Sequence, residues 1–294
     1  MSNTRAVGML FLLACMWSSS FTAIKFSVHE IPPVTLVALR LGVAAIVLYG
    51  FLRFQGKRLP KWGRNWTPYV LIGITGNCAP FFLISWGEVG ISSSQAVILL
   101  AIMPLATLVL SHFFTDTDKI TPTRLIGLVI GFIGVVVLFG PEALHDMDGD
   151  TISRLAVAGA AIFYGIATVI SKRLPAGGDP VESATAMTVC AMVFMVPASL
   201  LLDQPWTLAP AAVHLGAGIY LGFVPSALAS ILYFRLIADR GTTFFSVINY
   251  IIPCLGVIWG FLLLNEEVPA QSLVALIIIL SGVAITNVKR RARA

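Results

Sequence analysis

The chain alternates between long apolar runs and short polar joints, and the runs are too long for the helices of a soluble core. Residues 6–24, 65–87, 89–115, 183–202, 204–234, 241–265 and 268–288 contain no Asp, Glu, Lys or Arg. Each can cross roughly 30 Å of hydrocarbon at 1.5 Å per residue. Residues 33–52 carry a single charge, Arg40, while 125–141 and 155–171 are shorter and near the lower limit for a crossing. Ten crossings of about 20 residues use about 200 residues, which leaves only short joints in a chain of 294. The pattern predicts an all-α membrane protein with ten transmembrane helices. Helices of a soluble all-α protein would keep a polar stripe, which these runs lack.

Composition agrees. Hydrophobic residues make up 57% and charged residues 11%, against about 25% charged in a soluble domain. The first run reads as the first span and not as a cleavable signal, because no small-residue cleavage site and polar region follow it. Cys15, Cys78, Cys190 and Cys254 all fall inside spans without metal-ligand spacing, and read as packing residues. No metal and no cofactor is expected. The net charge of +5 needs no nucleic-acid partner.

The charges orient the spans. If the N-terminus is cytoplasmic, one side holds Arg5, the Arg53–Arg64 cluster, Lys119 and Arg124, Lys172 and Arg173, Arg235 and Arg240, and the basic tail. That is 16 of the 19 basic residues. The other side holds Lys25 and Arg154, together with acidic joints that include Glu30, Glu88, Glu142, Asp203, Glu266 and Glu267. By the positive-inside rule both termini are cytoplasmic and the number of spans is even.

A fixed offset links the two halves. Trp17 and Lys25 in the first span match Tyr164 and Lys172 in the sixth at 147 residues, and Pro33 matches Pro180 at the same offset. Pro104 and Pro253 are 149 apart; Ile120, Leu125 and Gly134 match Val268, Leu273 and Gly282 at 148. Residues 1–141 and 142–294 are therefore expected to be two five-helix repeats. Five is odd, so the second copy enters from the opposite side. Such an inverted repeat suits alternating access around a central cavity near the midplane.

Several motifs resemble a known family. Trp17-Ser18-Ser19-Ser20-Phe21 with Lys25, then Arg40, resemble the opening of the EamA-type drug/metabolite transporters. Tyr250-Ile251-Ile252-Pro253 and Leu262-Leu263-Leu264-Asn265-Glu266-Glu267 resemble that family's ninth span and the junction after it, and Ser281-Gly282-Val283 fits its tenth. The resemblance covers the whole chain. It implies ten helices, cytoplasmic termini and a cavity lined by spans 1, 3, 4, 6, 8 and 9. It also implies export of amino acids or related metabolites from a bacterial inner membrane. One departure is visible: the first repeat has Asp118-Lys119 where the second has Glu266-Glu267.

The candidate site follows from polar groups that must be satisfied inside the bilayer. Arg40 is the charge well inside a span, and either holds a substrate carboxylate or fixes helix packing. Ser18 in the first span, Asn77 and Pro80 in the third, Gln95 in the fourth and Asn249 in the ninth are candidate cavity residues. Trp17 and its repeat mate Tyr164 would wall that cavity with aromatic rings. Pro104, Pro225 and Pro253 would kink their helices and serve as hinges. Trp66, Trp86 and Trp206 read as interfacial belts. Gly127 and Gly131 form a GxxxG match, for internal packing or dimer contact; the protein is expected to be a monomer or weak dimer.

These features predict a secondary exporter of small organic solutes, amino acids (apolar and aromatic ones included) or related metabolites. A sugar-phosphate or nucleotide-sugar exchanger would need several cavity cations for its phosphate. An intramembrane enzyme would need a catalytic constellation, and neither HExxH nor GxSxG occurs, nor the phosphate loop of an ATP-driven pump. No Asp or Glu is placed inside a span, which favours a facilitator driven by the substrate gradient.

Overall fold

A computed structural model, described here for residues 2–63, 66–116, 119–140, 149–173 and 179–287, turns the apolar runs into helices. Arg64, Asp118, Glu142, the boundary after residue 141 and the basic tail from Lys289 lie outside the described residues. The ten helices are α1 Asn3–Ser27, α2 Pro33–Phe54, α3 Thr67–Gly90, α4 Ser93–Phe114 and α5 Pro122–Phe139. They continue with α6 Gly149–Arg173, α7 Pro180–Leu202, α8 Ala212–Gly241, α9 Ile248–Leu264 and α10 Ala270–Asn287. Among the described residues nine helices are long and apolar enough to cross a membrane, and α9, at 17 residues, is just shorter.

Local chemistry sets the ends. Pro33, Pro122 and Pro180 open α2, α5 and α7, where a missing N–H costs nothing. The side chains of Ser2, Ser92, Thr121 and Asp179 accept backbone N–H groups at the starts of α1, α4, α5 and α7. Such caps contribute about 1 kcal/mol each. Gly140 (φ 77°) and Asn265 (φ 52°) end α5 and α9 in left-handed backbone. Other ends are closed from across the molecule. Asp203, after α7, accepts from the Thr35 backbone N–H and hydroxyl at the start of α2, both at 2.8 Å.

Packing separates inside from outside by size more than by polarity. On α5, Gly127, Gly131 and Gly134 are buried, while Leu125, Ile126, Val129, Phe132, Ile133 and Val136 are exposed. Gly127 and Gly134 face α10, where a Cβ on Gly127 would stand 2.6 Å from the Gly282 carbonyl oxygen and one on Gly134 2.7 Å from the Ile279 side chain, while Gly131 lies against Gly282 of α10 and Leu105 of α4. The GxxxG match is therefore an internal seam, and these glycines are not available for a dimer contact. Large apolar side chains outside and small ones between helices are the arrangement a bilayer selects.

The helix pairings follow the duplication. α1 packs on α8 and α9, as its mate α6 packs on α3 and α4; α2 meets α8 as α7 meets α3. Three further pairs, α2 with α7, α4 with α9 and α5 with α10, join each helix to its own counterpart. Two inverted five-helix sets thus interlock. The register repeats in detail. Gly73 in α3 lies against the Met187 carbonyl and Gly222 in α8 against the Arg40 carbonyl, at 2.7 and 2.6 Å from where a Cβ would be. Met187 and Arg40 are themselves repeat mates. One belt assignment fails: Trp66 is 8% exposed, because its ring packs on Tyr69 and its Nε1 donates to the Lys61 carbonyl. Trp86 and Trp206 are exposed.

Candidate functional site

Two wide turns break the regular winding of the central helices at matching places. α3 is a π-helix over Gly73–Cys78, just before Pro80, and α8 is one over Gly222–Leu228, around Pro225. Pro lacks the N–H that a regular helix would use, and a π turn is one way a helix absorbs that loss. Asn77 lies in the first wide turn, and Pro80 is buried directly after it.

The residues around the second wide turn form the candidate site. The Trp17 Nε1 of α1 donates to the Pro225 carbonyl at 3.1 Å. The Trp17 ring lies 5.8 Å from Tyr233 and 5.9 Å from Phe245, whose rings are 4.8 Å apart. One residue further along, the Ser226 hydroxyl accepts from Arg40 Nε at 2.8 Å and donates to the Leu221 carbonyl at 2.8 Å. The Arg40 guanidinium also lies 3.7 Å above the ring of Phe81, next to Pro80 on α3. Arg40 therefore ties α2 to both broken helices, one from each repeat.

Arg40 is 5% exposed, so it neither snorkels nor faces lipid. Placing arginine at this depth costs roughly 2.5–3.5 kcal/mol. A hydrogen bond from a charged donor returns about 1.5–3 kcal/mol, and a desolvated cation–π contact about 2. The two contacts offset the burial. Nε is the one guanidinium nitrogen with a protein acceptor among the described residues. The charge is electrostatically coupled to Tyr164 on α6 and to Glu88 on α3.

Trp17, Arg40 and Pro225 are thus brought together, and Tyr164 on α6 is in electrostatic reach of Arg40. Ser18 is next to them: it is fully buried, donates to the Cys15 carbonyl, and accepts from Trp259 Nε1 of α9 at 2.9 Å. Asn77, Gln95 and Asn249 are half-buried on α3, α4 and α9, and no side-chain hydrogen bond among the described residues joins them to this group. Pro104 follows a break at Ala101–Ile102 between the two segments of α4. Pro253 is buried inside α9, which runs unbroken. A separate pocket of about 740 Å³, lined by Leu110, Phe114, Ile166, Val169, Ile170 and Arg173, lies between α4 and α6 and shares no residue with the site.

The structure corrects the placement of the acids. Glu88 is not in a joint but in the last turn of α3, fully buried, so an acid does lie inside a span. Lys25 Nζ donates to its backbone carbonyl at 2.7 Å. The reason for the misreading is local: Gly87-Glu88-Val89-Gly90 looks like a polar turn, yet helix continues through it. Glu266 is in a joint, but it reaches α4 and accepts from Ser93 N, Ser94 N and Ser94 Oγ at 2.8, 3.0 and 2.6 Å. It thereby caps the positive end of α4. Ser226, Phe81 and Phe245 were not singled out in the sequence; a lone Ser or Phe in an apolar run carries no signal.

Two interlocked helix sets with a polar, aromatic centre are the build of a membrane transporter. The chain belongs to the EamA-like transporter family, which matches residues 4–140 and again residues 151–288. It is 26% identical over 281 residues to an uncharacterized transporter of Archaeoglobus fulgidus, covering 96% of this chain and 98% of the relative. It is 27% identical over 289 residues to a "Probable terminal-alkyne amino-acid exporter" of Streptantibioticus cattleyicolor, covering 98% and 95%. The uncharacterized inner membrane transporter YedA of Escherichia coli K12 is 25% identical over 282 residues, covering 95% and 90%. A solved crystal structure, 19% identical, superposes with a TM-score of 0.68 over 97% of this chain and 98% of its own, which speaks to the fold.

Proposed function

We propose that the protein exports small organic solutes across a bacterial inner membrane by alternating access, with both termini cytoplasmic. Amino acids, apolar and aromatic ones included, are the favoured substrates. The observation that carries this reading is that Trp17 and Arg40 are held by adjacent residues, Pro225 and Ser226. A cation with guanidinium nitrogens to spare suits a carboxylate. The neighbouring Trp17, Tyr233 and Phe245 rings suit an apolar or aromatic side chain. The relative named as an amino-acid exporter points the same way.

A phosphate-bearing substrate is disfavoured because a second cation, Lys25, is committed to the Glu88 backbone carbonyl. The test is solute flux in liposomes containing the purified protein, with labelled amino acids, amines and phosphorylated sugars compared. Amino-acid counterflow is expected. Exchange of phosphorylated sugars in its place overturns the reading.

A further inference from the structure

Glu88 is a buried titratable group that the proposed substrate site does not use. It is fully buried, and neither carboxylate oxygen has a hydrogen-bond partner among the described residues. An ionised carboxylate is costly there unless it is paired or takes a proton. Its charged neighbours are Lys25 from α1, Glu266 from the joint between α9 and α10, and Arg40 from α2.

Each of these is engaged elsewhere. Lys25 is held by the Glu88 backbone carbonyl, Glu266 by the start of α4, and Arg40 by Ser226 and Phe81. α6 carries Tyr164, which is in electrostatic reach of Arg40, and holds Arg154 at the Phe139 carbonyl. α4 contributes the Ser93 and Ser94 hydroxyls around Glu266. Glu88 thus has cations within electrostatic reach and none in contact. Among the described residues three further buried hydroxyls lack partners: Ser85, one turn before Glu88 on α3, Thr22, one turn before Lys25 on α1, and Ser93, at the start of α4. A carboxyl O–H needs such acceptors, and a carboxylate needs such donors.

We propose that Glu88 carries the proton that couples transport to a proton gradient. The carboxylate takes a proton from the aqueous phase on one side, forming one O–H bond. It releases that proton to the other side when the repeats have rocked, and the solute moves the opposite way. This rests on the alternating-access reading above and replaces the expectation of a pure facilitator with a coupled exchanger. Intramembrane acids commonly serve as proton relays.

The test uses the full-length protein in liposomes with labelled phenylalanine as probe, comparing the wild type with Glu88→Gln and Glu88→Asp. For one proton per solute, a pH step of about one unit sustains about tenfold accumulation in the wild type. Glu88→Gln should lose that accumulation while keeping phenylalanine counterflow at equal pH, and Glu88→Asp should restore part of it. Equal accumulation by Glu88→Gln overturns the proposal, as does wild-type accumulation that ignores the pH step or follows a sodium gradient instead. If no variant moves phenylalanine, it is the substrate reading that fails. The proton assignment is then decided by pH-difference infrared spectra of the same samples. A titrating carboxyl band lost in Glu88→Gln supports it, and an unchanged spectrum overturns it.

Discussion

Lys25 reaches across from α1 to α3 and donates to the backbone carbonyl of Glu88, while the carboxylate of that same residue has no hydrogen-bond partner among the described residues. The ammonium thus acts as a strap between helices. Replacing Lys25 with Met should remove a charge-assisted bond of about 1.5–3 kcal/mol. The expected result is a lower unfolding temperature in detergent, with unaltered membrane insertion. A Lys25→Met protein as stable as the wild type would show that the strap carries no weight.

The Trp17 ring and its N–H do different work. Trp17→Phe keeps the aromatic wall and loses the bond to the Pro225 carbonyl, whereas Trp17→Ala loses both. Solute preference should change strongly in Trp17→Ala and mildly in Trp17→Phe, with yield similar in both. Competition assays in liposomes read this directly, and an unchanged preference in Trp17→Ala would count against the cavity assignment.

Ser226→Ala strands a buried cation. It should cost about 1–3 kcal/mol, because Arg40 Nε loses its acceptor. Arg40→Met, close in length and apolar, should be better tolerated in stability and should abolish amino-acid flux. Thermal unfolding and flux measured on both variants separate the two roles.

The glycine matches predict a contrast. Gly222→Ala and Gly73→Ala drive a Cβ into the Arg40 and Met187 carbonyls, and overpacking of this kind costs about 1–3 kcal/mol. Gly42→Ala and Gly216→Ala meet nothing within 4 Å and should be neutral or stabilising by up to about 1 kcal/mol. Unfolding temperatures of the four variants should fall into these two groups.

At the opposite end from Glu88, Lys57 bonds Asp179 at 2.6 Å and holds its carboxyl below the usual carboxylate range. The stabilisation is therefore complete above the unfolded Asp value of about 3.9 and fades as pH falls through the lower folded value. Both side chains are about a third exposed, so the pair is worth at most about 1 kcal/mol. A double-mutant cycle with Lys57→Met and Asp179→Asn at neutral pH should give a coupling of that size, shrinking at high salt.

The duplication was readable because its anchors are residues with backbone consequences. Pro33 and Pro180 open helices wherever they stand, and Trp17 and Lys25 recur with Tyr164 and Lys172 at one offset. Arg40 was readable because a charge in an apolar run is rare. Its partners were not, since Ser226 and Phe81 are ordinary residues until two broken helices bring them to one guanidinium. Glu88 was misplaced for the opposite reason. Flanking glycines and a charge imitate a joint, yet the helix continues to Gly90, with Gly87 packed against the Ser153 carbonyl and Val157 of α6.

A π turn holds one residue more than the regular turn it replaces, so α3 and α8 each store slack in their winding. Passing that extra residue along the helix by one position would rotate a side chain by about 100° at little cost in length. In α8 the side chain so turned is Ser226, which holds Arg40; in α3 it is Asn77. The two repeats thus carry matched gears, and a single click of either would turn Ser226 or Asn77 to a new face without unpacking a helix.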